Sequence, residues 1–205
     1  MIAARPGGFE ALRTLALEGR GAVPAHRCEL CGLELPAEHR HLVDVSRHSL
    51  ACACEECALV LDGAGRFRRP GRAVLRLDGL RISAVEWDAL GIPVLLAFFF
   101  RSSASGTIEA IYPGPAGATR STPNPTAWEA LAQKAPRLSA MERDVEALLV
   151  DRIGELHRQL IVPIDECYRL AGLLRTSWRG LSGGDDVRRG MERFFAELEA
   201  RAEAA

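Results

Sequence analysis

The stretch SLACACEEC, residues 49–57, places Cys52, Cys54 and Cys57 within six positions, and RCELCG, residues 27–32, supplies Cys28 and Cys31 upstream. Cys28-Glu-Leu-Cys31 and Cys54-Glu-Glu-Cys57 share the C-x2-C spacing, in which a tight turn aims two sulfurs at one point while backbone N–H groups face them. Two such turns, one from each end of a small β-structure, complete a tetrahedron around a metal ion. The 22 residues between the pairs suit a ribbon. Cys28, Cys31, Cys54 and Cys57 are therefore the expected metal ligands. Cys52 could replace Cys54 only by giving up the tight turn, so it is expected as a small packed hydrophobe or a group just outside the ligand shell.

Size argues for the same conclusion. A segment of about 35 residues lies below the length at which a domain folds without staples. Structural zinc supplies on the order of 10 kcal/mol to such a fold. Zinc is the expected ion and iron the alternative, because four thiolates satisfy either. CELCG also resembles a rubredoxin knuckle, whereas CEECA departs from the CPxCG usual in the second rubredoxin knuckle. EHRHLVDVSRH adds His39, His41 and His48, from which a second metal site with Cys52 can be drawn; one face of a strand accounts for His39 and His41 equally well.

Working outward, the 205 residues suit one ordinary domain carrying a small one, with 48% hydrophobic content for a core. Twenty-six basic against 27 acidic residues leave a formal charge of -1, so no global field attracts nucleic acid or an anionic membrane. MIAARPGGFEALRTL contains Arg5, Glu10 and Arg13 and does not read as a secretory signal. A cytoplasmic location without a membrane span is expected, where clustered cysteines point to metal rather than disulfides.

The expected organisation is an N-terminal arm over residues 1–24 with a short helix at 9–18, a zinc ribbon over 25–64, a basic linker over 65–73 and an α+β domain over 74–205. The linker carries Arg66, Arg68, Arg69 and Arg72, a nucleic-acid contact if it is not simply solvated. In the larger domain, AVLRLDGLRIS reads as a strand and turn, and PVLLAFFFRSSASGTIEAIY as a hairpin. Leu95 to Phe100 is apolar on both faces and should be a central strand covered on each side. YPGPAGATRSTPNP reads as irregular because of its prolines and glycines. Thr126 to Ala135 reads as a helix with Trp128 and Leu131 inward. In DVEALLVDRIGELHRQLIVPI, Val145, Leu148, Leu149 and Ile153 also fit a helix, but the β-branched, apolar run Gln159 to Ile164 favours two strands turning near Gly154. Asp165 is the expected N-cap of a helix with the stripe Cys167, Leu170, Ala171, Leu174 and Trp178. GLSGGDD breaks it, and Val187 to Ala202 forms a last helix with Met191, Phe194, Phe195 and Leu198 on one side. The fold class is thus α+β, a four-cysteine ribbon followed by an antiparallel sheet with C-terminal helices.

No catalytic constellation is recognised. Cys167 reads as core, Asp165 and Glu166 as helix-start residues, and SGGDD would repel an anion. An unrecognised active site near Tyr112 to Thr119 or His157 is the residual enzymatic reading.

The stretches RCELCG, EHRHLVD, CACEECAL, WDALGIPVLLAFFFRSS, YPGPAGAT and PIDECYRLAGLLRTSWRGLSGG resemble an uncharacterised bacterial family encoded beside genes for high-affinity nickel-iron hydrogenases of the actinobacterial type. The resemblance carries no catalytic residue over. It implies an accessory, assembly or electron-transfer role for a hydrogenase, with a hydrogenase subunit or maturation factor as protein partner. The alternatives are a rubredoxin-like iron electron carrier and a nucleic-acid-binding zinc ribbon.

Overall fold

A computed structural model describes residues 26–47, 49–114, 117–177 and 184–204. The expected helix at 9–18, His48 and Trp178 lie outside them.

The cysteine-bearing part opens with β1 (His26–Arg27) and β2 (Glu34–Leu35), a two-stranded antiparallel pair. β3 (Arg40–Asp44) and β4 (Ser49–Ala53) form a hairpin that leads into helix α1 (Glu55–Leu61). β5 (Phe67–Arg68) pairs with β3 through Val43 and Asp44, so the stretch expected as a linker contributes a third strand. Its core is thin. One cluster buries Cys28, Leu35 and Cys54, and another buries Leu42, Ala53 and Ala58. Asp44 closes the hairpin: its Oδ1 accepts from the N–H and hydroxyl of Ser46 and the N–H of Arg47, and its Oδ2 accepts from the Arg66 guanidinium.

The larger part is a seven-stranded sheet with helices on both faces. In chain order it comprises β6 (Val74–Arg76), α2 (Ala84–Ala89), β7 (Leu96–Arg101), β8 (Ile108–Gly114), β9 (Gly117–Ser121), α3 (Pro125–Lys134), a 3-10 turn (Pro136–Leu138), β10 (Glu146–Asp151), β11 (Arg158–Pro163), α4 (Ile164–Ser177), α5 (Gly184–Ala200) and β12 (Ala202–Ala204). The strand order is β12-β6-β11-β10-β7-β8-β9, antiparallel except for the parallel β12–β6 pair.

Alternation along the central strands feeds two cores, because successive side chains point to opposite faces. Phe98, Phe100, Leu149 and Val162 meet Leu170 of α4 and Phe194 and Phe195 of α5. Ala97, Phe99, Leu148 and Ile161 meet Trp87 of α2 and Trp128 and Leu131 of α3. The expected central strand and both hairpins are present, the second with Gly154 in the left-handed region at φ 75° that glycine adopts cheaply. Val43 of β3 reaches into the first of these cores and ties the cysteine-bearing part to the sheet.

Besides the linker that supplies β5, three expectations need correction. YPGPAGATRSTPNP is not irregular throughout: it ends β8 and forms β9, with Pro113 opposite Ala118. β8 pairs with β7 only as far as Ile111, so Pro113 lies where one side of the strand has no ladder to donate to. Asp165 is not the N-cap of α4. The helix starts at Ile164 directly after β11, and the Ile164 N–H donates to the Val145 carbonyl at 2.9 Å, so the backbone takes the place of a side-chain cap. α5 ends at Ala200 rather than Ala202, because β6 captures the next residues as β12. Helix α2 was not foreseen, although Ser83 and Glu86 form a reciprocal capping box that the sequence displays.

Phe99 is completely buried and touches Trp87 edge-on, with ring centroids 5.9 Å apart, and Trp128 at 5.5 Å. Phe99→Ala is expected to cost about 3–5 kcal/mol of stability, read by chemical denaturation.

Candidate metal centre

The first cysteine pair sits on the turn joining β1 to β2. The Cys28 N–H donates to the Leu33 carbonyl and the Gly32 N–H to the Cys28 carbonyl, both at 2.8 Å. Gly32 has φ 81°, and a Cβ there would meet nothing within 4 Å, so glycine is required by conformation rather than by space. The resulting turn points Cys28 and Cys31 the same way.

The second pair is built differently from the expected ribbon tip. Cys54 follows β4 immediately and is the N-cap of α1, its sulfur accepting from the Cys57 N–H at 3.4 Å. Three residues on, Cys57 lies one helical turn away on the same side. A turn and a helix start therefore bring the two pairs together. Glu29 holds them in place: its N–H donates to the Cys52 carbonyl at 2.9 Å, and its Oε1 accepts from the Cys52 N–H at 2.8 Å.

The sulfurs of Cys28, Cys31, Cys54 and Cys57 all lie within 4.8 Å of one another, with Cys31 and Cys54 3.7 Å apart. Tetrahedral zinc with four thiolates, at Zn–S ≈ 2.3 Å, sets its sulfurs roughly 3.8 Å apart, so the donors fit such an ion after small inward shifts. Cys28 and Cys54 are buried, Cys57 is half-buried and Cys31 is exposed. Burial opposes ionisation of Cys28, but N–H groups of Cys54, Leu30 and Cys31 and the Cys31 thiol bring it down to about 6. Cys57 moves up, because its hydrogen bonds to the sulfurs of Cys54 and Cys31 favour its protonated form and burial adds to this. Cys54 also moves up: the Cys57 N–H favours its thiolate, but burial with Glu56 and Cys31 outweighs it. Several thiolates cannot share this volume without a cation. The cluster could hold a metal ion.

The other candidates are dispersed. Cys52 is outside the four-sulfur group; its sulfur stands with His26 and His39. His41 lies opposite Cys52 in the β3–β4 register and turns Nδ1 toward Asp165 at 3.5 Å. Cys167 is fully buried in the larger core, and burial pushes its thiol well up, as core packing requires. Arg66 pairs with Asp44, Arg68 with Glu142, and Arg69 with Glu55 and Asp62. Between the cysteine-bearing part and α4–α5 runs a crevice of about 1040 Å³, with His39, His41, Asp165 and Arg169 on its walls. His26 was missed, since nothing in its sequence position reveals that β1 lies against β4.

Chelation of bound metal is expected to strip amide protection from residues 28–61 while β7 and β10 stay protected, read by hydrogen exchange. A second expectation concerns acid. Hydrogen bonds from Arg66 hold the Asp44 carboxyl well below the usual carboxylate range, against the opposing effect of burial, with help from Ser46 and Arg47. A depressed folded-state pKa stabilises above the unfolded value, about 4, and that stabilisation fades as pH falls toward the folded one. Asp44→Asn should therefore lower the melting temperature at pH 7 and reduce its steepness with pH below about 4, read by thermal melts across pH.

Among the described residues no helix is long and apolar enough to cross a membrane. No curated protein and no solved structure matches the chain. A family model matches residues 27–202, from the first knuckle to the start of β12. On that match the chain belongs to the family described as "Family of unknown function (DUF5947)".

Proposed function

We propose that the protein is a metal-binding accessory protein that acts by protein–protein contact in the maturation or assembly of a nickel-iron hydrogenase. The observation that carries the reading is the four-sulfur cluster at a place with almost no apolar core of its own. Four protein ligands fill a tetrahedron and leave no position for a substrate, so the ion there acts as a cross-link that keeps a surface folded. Zinc is the ion of this reading: the second cysteine pair opens a helix with CEECA, unlike a rubredoxin knuckle.

The surface so held carries Leu33, Leu59 and Val60, which are 54%, 57% and 77% exposed. Large apolar side chains in water beside a structural site suit burial by a partner protein. Resemblance to proteins encoded beside hydrogenase genes supports a hydrogenase subunit or maturation factor as that partner. The carboxylate partners of Arg66, Arg68 and Arg69 favour this reading over phosphate binding, since those charges already have counterions.

Affinity capture of the tagged full chain from its native host is expected to recover a hydrogenase subunit or maturation factor; recovery of neither overturns the proposal. Elemental analysis of the same material should give zinc and colourless protein. Iron, with a visible band that bleaches on reduction, would put the electron-carrier reading in its place.

A further inference from the structure

Beside the four-sulfur cluster, and sharing none of its sulfurs, His26, His39 and Cys52 converge from β1, the loop entering β3, and β4. One imidazole nitrogen of each histidine and the Cys52 sulfur all lie within 4.8 Å of one another. The His26 and His39 rings are 4.9 Å apart between centroids.

A second observation concerns His39. His39 Nδ1 lies 3.0 Å from the Pro36 carbonyl, which can only accept, so Nδ1 carries the proton. In the neutral ring Nε2 then bears the lone pair. That Nε2 is buried and has no hydrogen-bond partner among the described residues. A buried acceptor left unmatched costs free energy. A ring nitrogen oriented by a backbone carbonyl on its far side is the arrangement in which histidine binds metal.

We propose that His26, His39 and Cys52 form a second metal site, for a borderline divalent transition ion such as zinc or cobalt, with its fourth coordination position open to solvent. Two imidazoles and one thiolate suit such ions. Donors within 4.8 Å of one another lie near tetrahedral spacing, and the exposed His26 has room to adjust on loading. The ion replaces the Cys52 thiol proton, which leaves to solvent. Glu29 fixes the Cys52 backbone from both sides, so the thiol is held in place before the ion arrives. Unlike the closed four-sulfur cluster, a three-ligand site accepts a fourth ligand from water, a small molecule or another protein. His39 also lines the crevice beneath α4, and that face is where a fourth ligand would approach. The inference does not depend on the hydrogenase reading.

The test uses the full chain with zinc in the four-sulfur cluster, titrated with Co2+ as the probe. The expected result is one further equivalent of Co2+, with visible d–d bands and a charge-transfer band of the intensity one thiolate gives. His39→Gln and Cys52→Ser should each weaken that uptake at least about tenfold while the zinc content and melting temperature hold. His26→Gln, exposed on a two-residue strand, is the variant that cannot plausibly unfold the protein, and it should weaken uptake likewise. His157→Gln, remote and exposed, should not. Absence of a second equivalent overturns the proposal. So does Co2+ uptake unchanged in His26→Gln and Cys52→Ser, or a band of four-thiolate intensity, which would place the cobalt in the first cluster.

Discussion

Four sulfur atoms brought within 4.8 Å cannot all ionise, and the front of this protein is arranged around that constraint. Backbone N–H groups pull Cys28 down, while Cys57 and Cys54 are pushed up. A metal cation bound there would resolve the conflict by replacing the protons. It would also supplement a thin apolar core, since few side chains, Leu35 and Leu42 the largest, are buried around the hairpin and α1. Linkage makes the two statements equivalent: what binds the folded arrangement alone stabilises it.

The rest of the molecule solves its stability problem differently. Two apolar layers lie on opposite faces of one sheet, each roofed by its own pair of helices. The cysteine-bearing part is not merely tethered to this body. Val43 enters one of its layers, Arg68 reaches Glu142, and His41 meets Asp165 at the first turn of α4. Orientation of the cysteine cluster is thereby fixed relative to the crevice.

Much of this was legible in the sequence where chemistry is local. C-x2-C spacing announces its turn, and the unbroken apolar run LLAFFF announces a strand buried on both faces. What escaped was set by tertiary context. Proline and glycine in β8–β9 are tolerated because the ladder to β7 has already ended at Ile111. β12, made of Ala-Glu-Ala, has no strand propensity of its own and exists because β6 offers an unpaired edge. The helix under Cys54 and Cys57 is short, and its cap is a cysteine sulfur, which sequence rules do not count among N-caps. The His26, His39 and Cys52 cluster joins residues up to 26 positions apart: the Glu29 clasp brings β1 to β4, and the β3–β4 pairing brings His39 to Cys52.

Strand β7 has apolar side chains on both faces, so polarity does not encode its register. A slip by one residue would still leave hydrophobic groups in each layer. Size must then specify the alignment: Ala97 and Phe99 fit the layer with the tryptophans, Phe98 and Phe100 the other. β8 follows β7 closely in the chain, but β10 comes some forty residues later. Until it arrives, one edge of an uncharged, strongly β-prone stretch is open. In a chain emerging from the ribosome, that edge is the point most exposed to self-association, and rapid β7–β8 hairpin closure is its first protection.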